Sequence, residues 1–163
     1  MAKVAIRLGV KGERGARWQF ANFRGPKGGE SVGVVDLIAV RKDHHRPAEL
    51  HGLNPGDALQ IILIQVKGGS AANPTPADGV RLRILKKHHR ASHVLLASWK
   101  PGKLPKPGTT TFYTLRDEPM ATLKGLEREW EKVGVADVFG PQGGSPRVVR
   151  ARQRSSAIAR AKR

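Results

Sequence analysis

The stretch that decides the fold spans residues 32–40 and reads Val-Gly-Val-Val-Asp-Leu-Ile-Ala-Val. A run this apolar predicts a central strand that is covered on both faces of its sheet. It holds one acid, Asp36, and a carboxylate in apolar surroundings is costly unless a partner stabilises its charge. The stretch therefore predicts both a buried strand and a polar site at Asp36.

A second apolar strand follows at residues 59–66, which read Leu-Gln-Ile-Ile-Leu-Ile-Gln-Val and lead into Lys67. Gln65 and Lys67 are two residues apart, so a strand directs both side chains to the same face of its sheet. If the two apolar strands pair antiparallel with that face meeting Asp36, one site gains a carboxylate, an amide oxygen and an ammonium group. The main-chain carbonyl of Val66 and substrate phosphate oxygens could complete the oxygen ligands that Mg²⁺ prefers.

The rest of the chain predicts an α/β or α+β domain in which a mixed sheet is covered by helices. Shorter strand patterns occupy residues 17–24, 93–99 and 110–115, and a basic helix is expected over 77–90. A second helix is expected to begin at Asp117, because apolar residues recur at spacings of three and four, at Leu123, Leu126, Trp130 and Val133.

Composition divides the chain near its C-terminal end. Residues 1–140 carry the strand and helix patterns and are expected to form one domain, which is what a chain of 163 residues supports. Residues 141–163 show no sustained periodicity, are rich in arginine and contain no acid. We therefore expect this segment to be a flexible basic tail.

Charge is the strongest property of the whole chain. It has 30 Lys and Arg against 13 Asp and Glu, a formal net charge of +17 and a pI near 11.3. Such an excess favours nucleic acid as a partner, since each neutralised phosphate releases counterions. Neither the expected basic helix nor the tail is balanced by nearby acids. The expected phosphate contacts are Arg81, Arg83, Lys86, Lys87, Arg90, Arg147, Arg150, Arg152 and Arg154.

Several classes of protein are excluded by composition. Without cysteine the chain cannot form disulfides, thiolate zinc sites or a cysteine nucleophile. Its longest aliphatic run, residues 61–64, falls far short of the roughly 20 apolar residues of a membrane helix. Charge also interrupts the N-terminus before a signal-peptide core could form. We therefore expect an intracellular protein, cytoplasmic or nucleoid-associated, with no membrane partner.

The two apolar strands resemble the metal-binding motif of the PD-(D/E)XK nuclease superfamily. Residues 33–40, Gly-Val-Val-Asp-Leu-Ile-Ala-Val, are similar to a strand of the branch that holds archaeal Holliday-junction resolvases and Mrr-like restriction nucleases. Residues 62–69, Ile-Leu-Ile-Gln-Val-Lys-Gly-Gly, resemble its next strand, which ends in Glu-Val-Lys or Gln-Val-Lys. The resemblance covers mainly residues 30–69. It implies a restriction-endonuclease-like mixed β-sheet flanked by helices.

By this resemblance the reaction is phosphodiester hydrolysis in DNA, with Mg²⁺ or Mn²⁺ as cofactor. Asp36 would be the metal-binding acid, Gln65 the second ligand and Lys67 the catalytic lysine. The enzyme would act as a homodimer on duplex or branched DNA, as a Holliday-junction resolvase does, because two strands must be cut symmetrically.

Three departures from the motif bear on the site. Val35 stands where the motif has proline, and Gln65 replaces the commoner glutamate, which removes a negative charge and should weaken metal affinity. The long gap between Asp36 and Gln65 makes Asp57, eight residues before Gln65, a rival for the acid, although its Pro-Gly-Asp context favours a turn. Many family members also use a glutamate from an N-terminal helix, for which the candidates are Glu13 and Glu30.

Two other functions stay open on the sequence. The same fold could bind DNA without cutting it, if Gln65 marks a lost metal site. A strongly basic chain could also be a structural protein that coats nucleic acid. Metal-dependent cleavage that Asp36→Ala abolishes would exclude both alternatives, whereas salt-sensitive binding without cleavage would support them.

Overall fold

A computed structural model of the chain describes residues 5–6, 18–23, 33–43, 54, 56–69, 71–102 and 108–140. These residues build a six-stranded sheet whose strands lie in sequence order. The strands are β1 (Gln19–Asn22), β2 (Leu37–Lys42), β3 (Leu59–Gly68), β4 (His93–Lys100), β5 (Thr109–Leu115) and β6 (Trp130–Val133). The helices are α1 (Pro76–His88), α2 (Leu126–Glu129) and α3 (Val135–Phe139).

The sheet is mixed because the chain crosses over once. β1, β2 and β3 pair antiparallel. The chain then passes through α1, and β4 returns parallel to β3, a pairing that needs a crossover of this kind. β5 and β6 extend the sheet antiparallel beyond β4. The expected mixed sheet with helices, an α+β fold, is confirmed.

Both faces of the central strands are covered. On one face, here termed the α1 face, Leu63 of β3 belongs to a buried cluster with Leu82 of α1. On the other, termed the α3 face, Ile64 belongs to a cluster with Phe139 of α3 and with Ile6. Successive residues of β3 thus enter different cores, which explains why its sequence is a continuous apolar run.

α1 begins at a complete N-terminal cap. The hydroxyl of Thr75 accepts a hydrogen bond from the Asp78 N–H (3.2 Å), and the Asp78 carboxylate accepts one from the Thr75 N–H (2.9 Å). Pro76 occupies the first turn, where a backbone N–H has no partner within the helix. The helix expected over residues 77–90 is confirmed, with bounds of 76–88.

The expectation of a second long helix beginning at Asp117 is wrong. The chain instead forms the four-residue α2, continues as β6 and then enters α3. Gly125 has a φ of 59° directly before α2, a left-handed conformation that a right-handed helix does not contain. Trp130 pairs opposite Leu115 of β5. The apolar positions expected on one helix are therefore divided between a turn, a short helix and an edge strand.

The described part of the stretch at 32–40, residues 33–40, is a strand only from Leu37 onward. Val34 and Val35 precede β2 and pack on the α1 face. β2 is second from the edge of the sheet, whose centre is held by β3 and β4. Asp36 therefore lies at the entrance to the strand instead of within it.

Several expectations concern residues outside those described. They include the candidate acids Glu13 and Glu30 and the tail at 141–163. In the described part of the chain, no helix has the length and apolar character needed to cross a membrane.

Candidate functional site

Asp36 is the acid that the fold brings to the end of β3. Its N–H donates to the carbonyl of Ile64 (2.9 Å), and its own carbonyl accepts from the N–H of Phe23 (3.0 Å). Its carboxylate accepts a hydrogen bond from the N–H of Val66 (2.6 Å). The backbone is thus fixed on both sides, and the carboxylate is held against residues 65–67.

Gln65 and Lys67 flank Val66 and lie on the α1 face. Leu63, two residues before Gln65, belongs to the cluster of the α1 face. Because every second residue of a strand points to the same face, Gln65 and Lys67 lie on that face as well. Val66 packs against the core of the α3 face instead. The three residues singled out by the sequence, Asp36 included, therefore come together at one end of β3.

The side-chain oxygen of Gln65 is buried without a partner. Gln65 is 4% exposed, and within the described residues its Oε1 is the buried side-chain polar atom that makes no hydrogen bond. An unsatisfied buried acceptor costs about 1–3 kcal/mol. An acceptor retained at that cost beside a carboxylate has the chemistry of a cation ligand.

The main-chain carbonyl of Val66 supplies a third oxygen. A residue in an antiparallel strand directs its N–H and its C=O to the same side, and the Val66 N–H points to Asp36. A carboxylate, an amide oxygen and a backbone carbonyl suit a hard cation that keeps water and phosphate oxygens as its other ligands. The described residues contain no group of three or more His, Asp or Glu that could hold a metal, so this donor set has a single acid.

Asp57, the rival acid, lies at the opposite end of β3. Its carboxylate accepts from the N–H of Asn54 (2.8 Å), and its N–H donates to the Asn54 carbonyl (3.0 Å), which closes a turn. Six residues of extended strand, 59–64, lie between the turn at Asp57 and Gln65, a span of about 20 Å. Asp57 and Gln65 therefore cannot share one cation.

Two hydroxyl residues that the sequence did not single out continue the same row across the sheet, Ser98 beside Lys67 and Thr111 beside Ser98. The register places Ser98 of β4 opposite Lys67, and Thr111 of β5 opposite Ser98. Leu96 and Tyr113, each two residues away, belong to the cluster of the α1 face, so both hydroxyls share that face with Lys67. We term Ser98 and Thr111 the hydroxyl row. Strand alternation predicts which side chains of each strand share a face, but the position of these two residues depends on a register that the sequence does not reveal.

Asp78, at the start of α1, is an acid close enough to Lys67 for their charges to interact. The pKa of Asp78 is lowered chiefly by the hydrogen bond from the Thr75 N–H, and the positive charges of Lys67 and Arg81 lower it further, against a smaller effect of burial. Asp78 is therefore ionised and engaged in the cap of α1, where it contributes negative potential near the Lys67 ammonium group.

Two basic residues expected to contact phosphate are engaged within the protein. Arg83 donates to the carboxylate of Glu129 and to the carbonyl of Arg116 (3.0 Å). Lys86 pairs with Asp117. These acids come from the segment after β5, so the expectation that no acid balances the helix is wrong for Arg83 and Lys86.

Other basic residues of α1 and its end are open to solvent. Lys87 and Arg90 are exposed, and the Arg81 side chain is 61% exposed, with a contact of 3.9 Å to Asp78. They leave the outer surface of this helix positive. The arginines expected to bind DNA from the tail lie outside the described residues: Arg147, Arg150, Arg152 and Arg154.

Neither a protein-family model nor a curated protein nor a solved structure matches the chain. A functional assignment therefore rests on the chemistry of this site.

Proposed function

We propose that the chain is a metal-dependent endonuclease that hydrolyses phosphodiester bonds of duplex or branched DNA, with a site of the PD-(D/E)XK type. The observation that carries the proposal is the buried, unpartnered Oε1 of Gln65. It lies next to Asp36, whose carboxylate is anchored on Val66, and shares a strand face with Lys67. The mixed sheet with flanking helices agrees with the same resemblance.

Each residue of the site has a chemical role in this proposal. When bound, Mg²⁺ or Mn²⁺ polarises the scissile phosphate and lowers the pKa of a water molecule. Lys67 orients or deprotonates the attacking water, or offsets the charge that develops on the phosphate. The hydroxyl row donates hydrogen bonds to phosphate oxygens of the strand being cut. The residues that would hold the cation are Asp36, Gln65 and, through its carbonyl, Val66.

DNA would be positioned by the exposed cations on the outer surface of α1 and by the arginines of the tail. Contacts to phosphate fix the position of a duplex without reading its sequence, and the net charge of +17 adds long-range attraction. By the resemblance stated above we propose a homodimer, in which two sites cut two strands, located in the cytoplasm or on the nucleoid.

The test is nicking of labelled four-way junction and plain duplex DNA in Mg²⁺ or Mn²⁺. Lys67→Ala and Asp36→Asn should each lose at least about 100-fold in rate. Asp36→Asn keeps an oxygen that can accept from the Val66 N–H, so the fold should be retained. Asp57→Asn, a matched loss of a carboxylate at the other end of β3, should cut as the wild type does. Comparing the substrates separates a junction resolvase from a general endonuclease.

DNA binding without cleavage in either cation would leave a non-catalytic DNA-binding protein on the same fold. Gln65 itself is the observation that favours this second function, since an amide stands in the position of an acid. Gln65→Glu separates the two: in an enzyme it should lower the cation concentration needed for half-maximal nicking, and in a non-catalytic protein it should produce no nicking. Equal, salt-sensitive binding to DNA and RNA would instead indicate a structural protein that coats nucleic acid.

A further inference from the structure

A groove of about 450 Å³ opens between α1 and the segment that leads into β2. Its lining is mainly apolar and comes from three parts of the fold. The sheet contributes Ile38 and Leu63, the segment before β2 contributes Val34 and Val35, and α1 contributes Leu85. The groove is large enough for a small ring system and open enough for it to enter from solvent.

Part of the apolar surface at this groove is left in solvent although α1 is already anchored on the sheet. Leu82 is fully buried and belongs to the cluster between α1 and the sheet. Phe23 lines the groove and is 45% exposed, and Val80 and Ile84 of α1 are exposed as well. Large apolar side chains left in solvent around a concave surface are typical of a binding site.

One side of the groove is polar and carries the guanidinium group of Arg81. Arg81, Leu85 and His89 line it at intervals of four residues, which places them on one stripe of α1 and its end. An aromatic ring such as that of Phe23 and a guanidinium plane such as that of Arg81 are the groups on which nucleobases stack in proteins. Imidazole and guanidinium N–H groups can also donate to the acceptors on a base edge.

The groove adjoins the candidate metal site. Val35 lines it and directly precedes Asp36, and the N–H of Phe23 donates to the Asp36 carbonyl (3.0 Å). Leu63 lies two residues before Gln65 on the same face of β3. A strand with its phosphate at Asp36 would therefore present a neighbouring base to the groove.

We propose that this groove binds an unstacked nucleobase of the DNA strand held at Asp36. This inference rests on the proposed function, because it requires a DNA strand at that site. A base is favoured over an apolar protein segment, since the groove carries the guanidinium group of Arg81 and adjoins the site proposed to hold a phosphate. The flat faces of the base contact the apolar lining and the Phe23 ring, and its edge meets Arg81 and His89.

The test compares binding to a duplex with a central bulge of thymidines and to the same duplex with an abasic bulge, in Ca²⁺, a hard cation that takes oxygen ligands as Mg²⁺ does and allows a phosphate to be held at Asp36. The phosphate charge of the two is equal, so the difference reports the base. The wild type should bind the thymidine bulge about tenfold more tightly. Phe23→Ala should abolish this preference, and Phe23→Leu should reduce it. Leu59→Ala, which removes an exposed apolar side chain at the other end of β3, should retain it.

The outcomes separate this inference from the nuclease itself. Equal affinity for the two bulges, with nicking intact, would overturn the nucleobase groove and leave the nuclease standing. A tenfold preference that Phe23→Ala abolishes, in a protein that does not nick DNA, would support the nucleobase groove and contradict the proposed nuclease activity. If Phe23→Ala kept the preference but dissociated a dimer in sedimentation, the occupant of the groove would be a second copy of the chain, and the inference would be wrong.

Discussion

At the scale of single residues, two buried glutamines of β3 differ in how their amides are used. The Oε1 of Gln60 accepts from Arg41 (2.7 Å), and its Nε2 donates to Ser92 (3.4 Å). Gln65 is more deeply buried than Gln60, yet its Oε1 has no hydrogen-bond partner among the described residues. Gln60 is a satisfied polar group of the core. The unpaired oxygen of Gln65 instead lowers stability, which is the pattern expected of a binding residue.

Methionine at each of these positions gives opposite predictions. Gln65→Met should raise the free energy of unfolding by about 1–2 kcal/mol, because it removes an unpaired buried acceptor while keeping the side-chain length. Gln60→Met should lower it by about 1–3 kcal/mol, because Arg41 loses its acceptor. Urea unfolding without divalent cations measures both. A destabilised Gln65→Met protein would mean that the amide oxygen has a partner in solution.

The residues of the candidate site differ in how far the sequence predicts them. Asp36, Gln65 and Lys67 could be grouped from the sequence because strand alternation and antiparallel pairing of neighbouring apolar strands are enough to bring them together. Ser98 and Thr111 could not be grouped with them, because the position of Ser98 beside Lys67 depends on the parallel register of β3 and β4, and that of Thr111 beside Ser98 depends on the register of β4 and β5. The parallel register is set by how α1 packs, which is a tertiary property.

At the scale of elements, α1 is held to the rest of the fold by two ion pairs that differ in burial. The side chains of Arg83 and Glu129 are 19% and 10% exposed. The pair of Lys86 is different, because its partner Asp117 is 84% exposed. Water screens the exposed pair, whereas removing one partner of the buried pair leaves an uncompensated charge.

Arg83→Met should therefore lower the free energy of unfolding by about 3 kcal/mol, and Lys86→Met by less than about 1 kcal/mol. Methionine keeps much of the aliphatic chain and the helix propensity in both variants. Urea unfolding gives the two values, and Arg83→Met combined with Glu129→Leu should recover much of the larger loss. Equal losses in the two single variants would contradict this assignment.

His93, at the start of β4, makes the stability of this region depend on pH. Burial lowers the pKa of His93, and the charge of Lys86 lowers it further, while Asp117 opposes the shift. The native state therefore binds a proton less readily than the unfolded chain. The contribution of His93 to stability is complete above the usual imidazole pKa of about 6.5 and is lost as the pH falls through the lowered value.

His93→Gln should flatten this dependence. We expect the wild type to lose stability more steeply than the variant as the pH falls below about 6.5, since glutamine does not titrate. Urea unfolding at a series of pH values measures the two slopes. Identical slopes would show that His93 titrates alike in the folded and unfolded chains.

Elements were predictable where their pattern is local. The apolar runs of β3 and β4 and the capped start of α1 follow from composition and from Thr75, Pro76 and Asp78. The structure of the segment from Asp117 onward could not be predicted, because its spacing of apolar residues is also compatible with a turn, a short helix and a strand. Gly125 with its positive φ and the free edge of β5 decide between them, and that edge is formed by residues distant in sequence.

At the scale of the whole molecule, the positive charge is divided between groups that hold the fold and groups that face solvent. Arg41 belongs to the first kind, since its guanidinium donates to the carbonyl of Gly140 (2.9 Å) and lies 4.5 Å from the centre of the Trp18 ring. Lys87 and Arg90 belong to the second. The net charge of +17 therefore indicates a polyanionic partner but does not show which cations reach it.

The salt dependence of DNA binding tests this division. Each phosphate contact contributes about −0.9 to the slope of log K against log salt concentration. Lys87→Gln and Arg90→Asn should each make the slope shallower by about 0.9, and asparagine suits the left-handed backbone at Arg90 (φ 51°). Arg83→Met should leave the slope unchanged. Neutralising the four tail arginines together should make it shallower by about 3 to 4; they are Arg147, Arg150, Arg152 and Arg154.

The pattern of slopes, measured by titrating labelled duplex over a series of KCl concentrations, decides where the DNA lies. A slope that changes with Lys87 and with the tail variant requires one DNA path that reaches both, which puts the duplex over the outer surface of α1. A slope that does not change in the Lys87 and Arg90 variants would show that α1 does not contact the DNA, and the tail would then be the main cationic part of the interface. A slope that became shallower in Arg83→Met would mean that this arginine leaves Glu129 to contact phosphate. Because those two groups are largely buried, such a change would require α1 to move on binding.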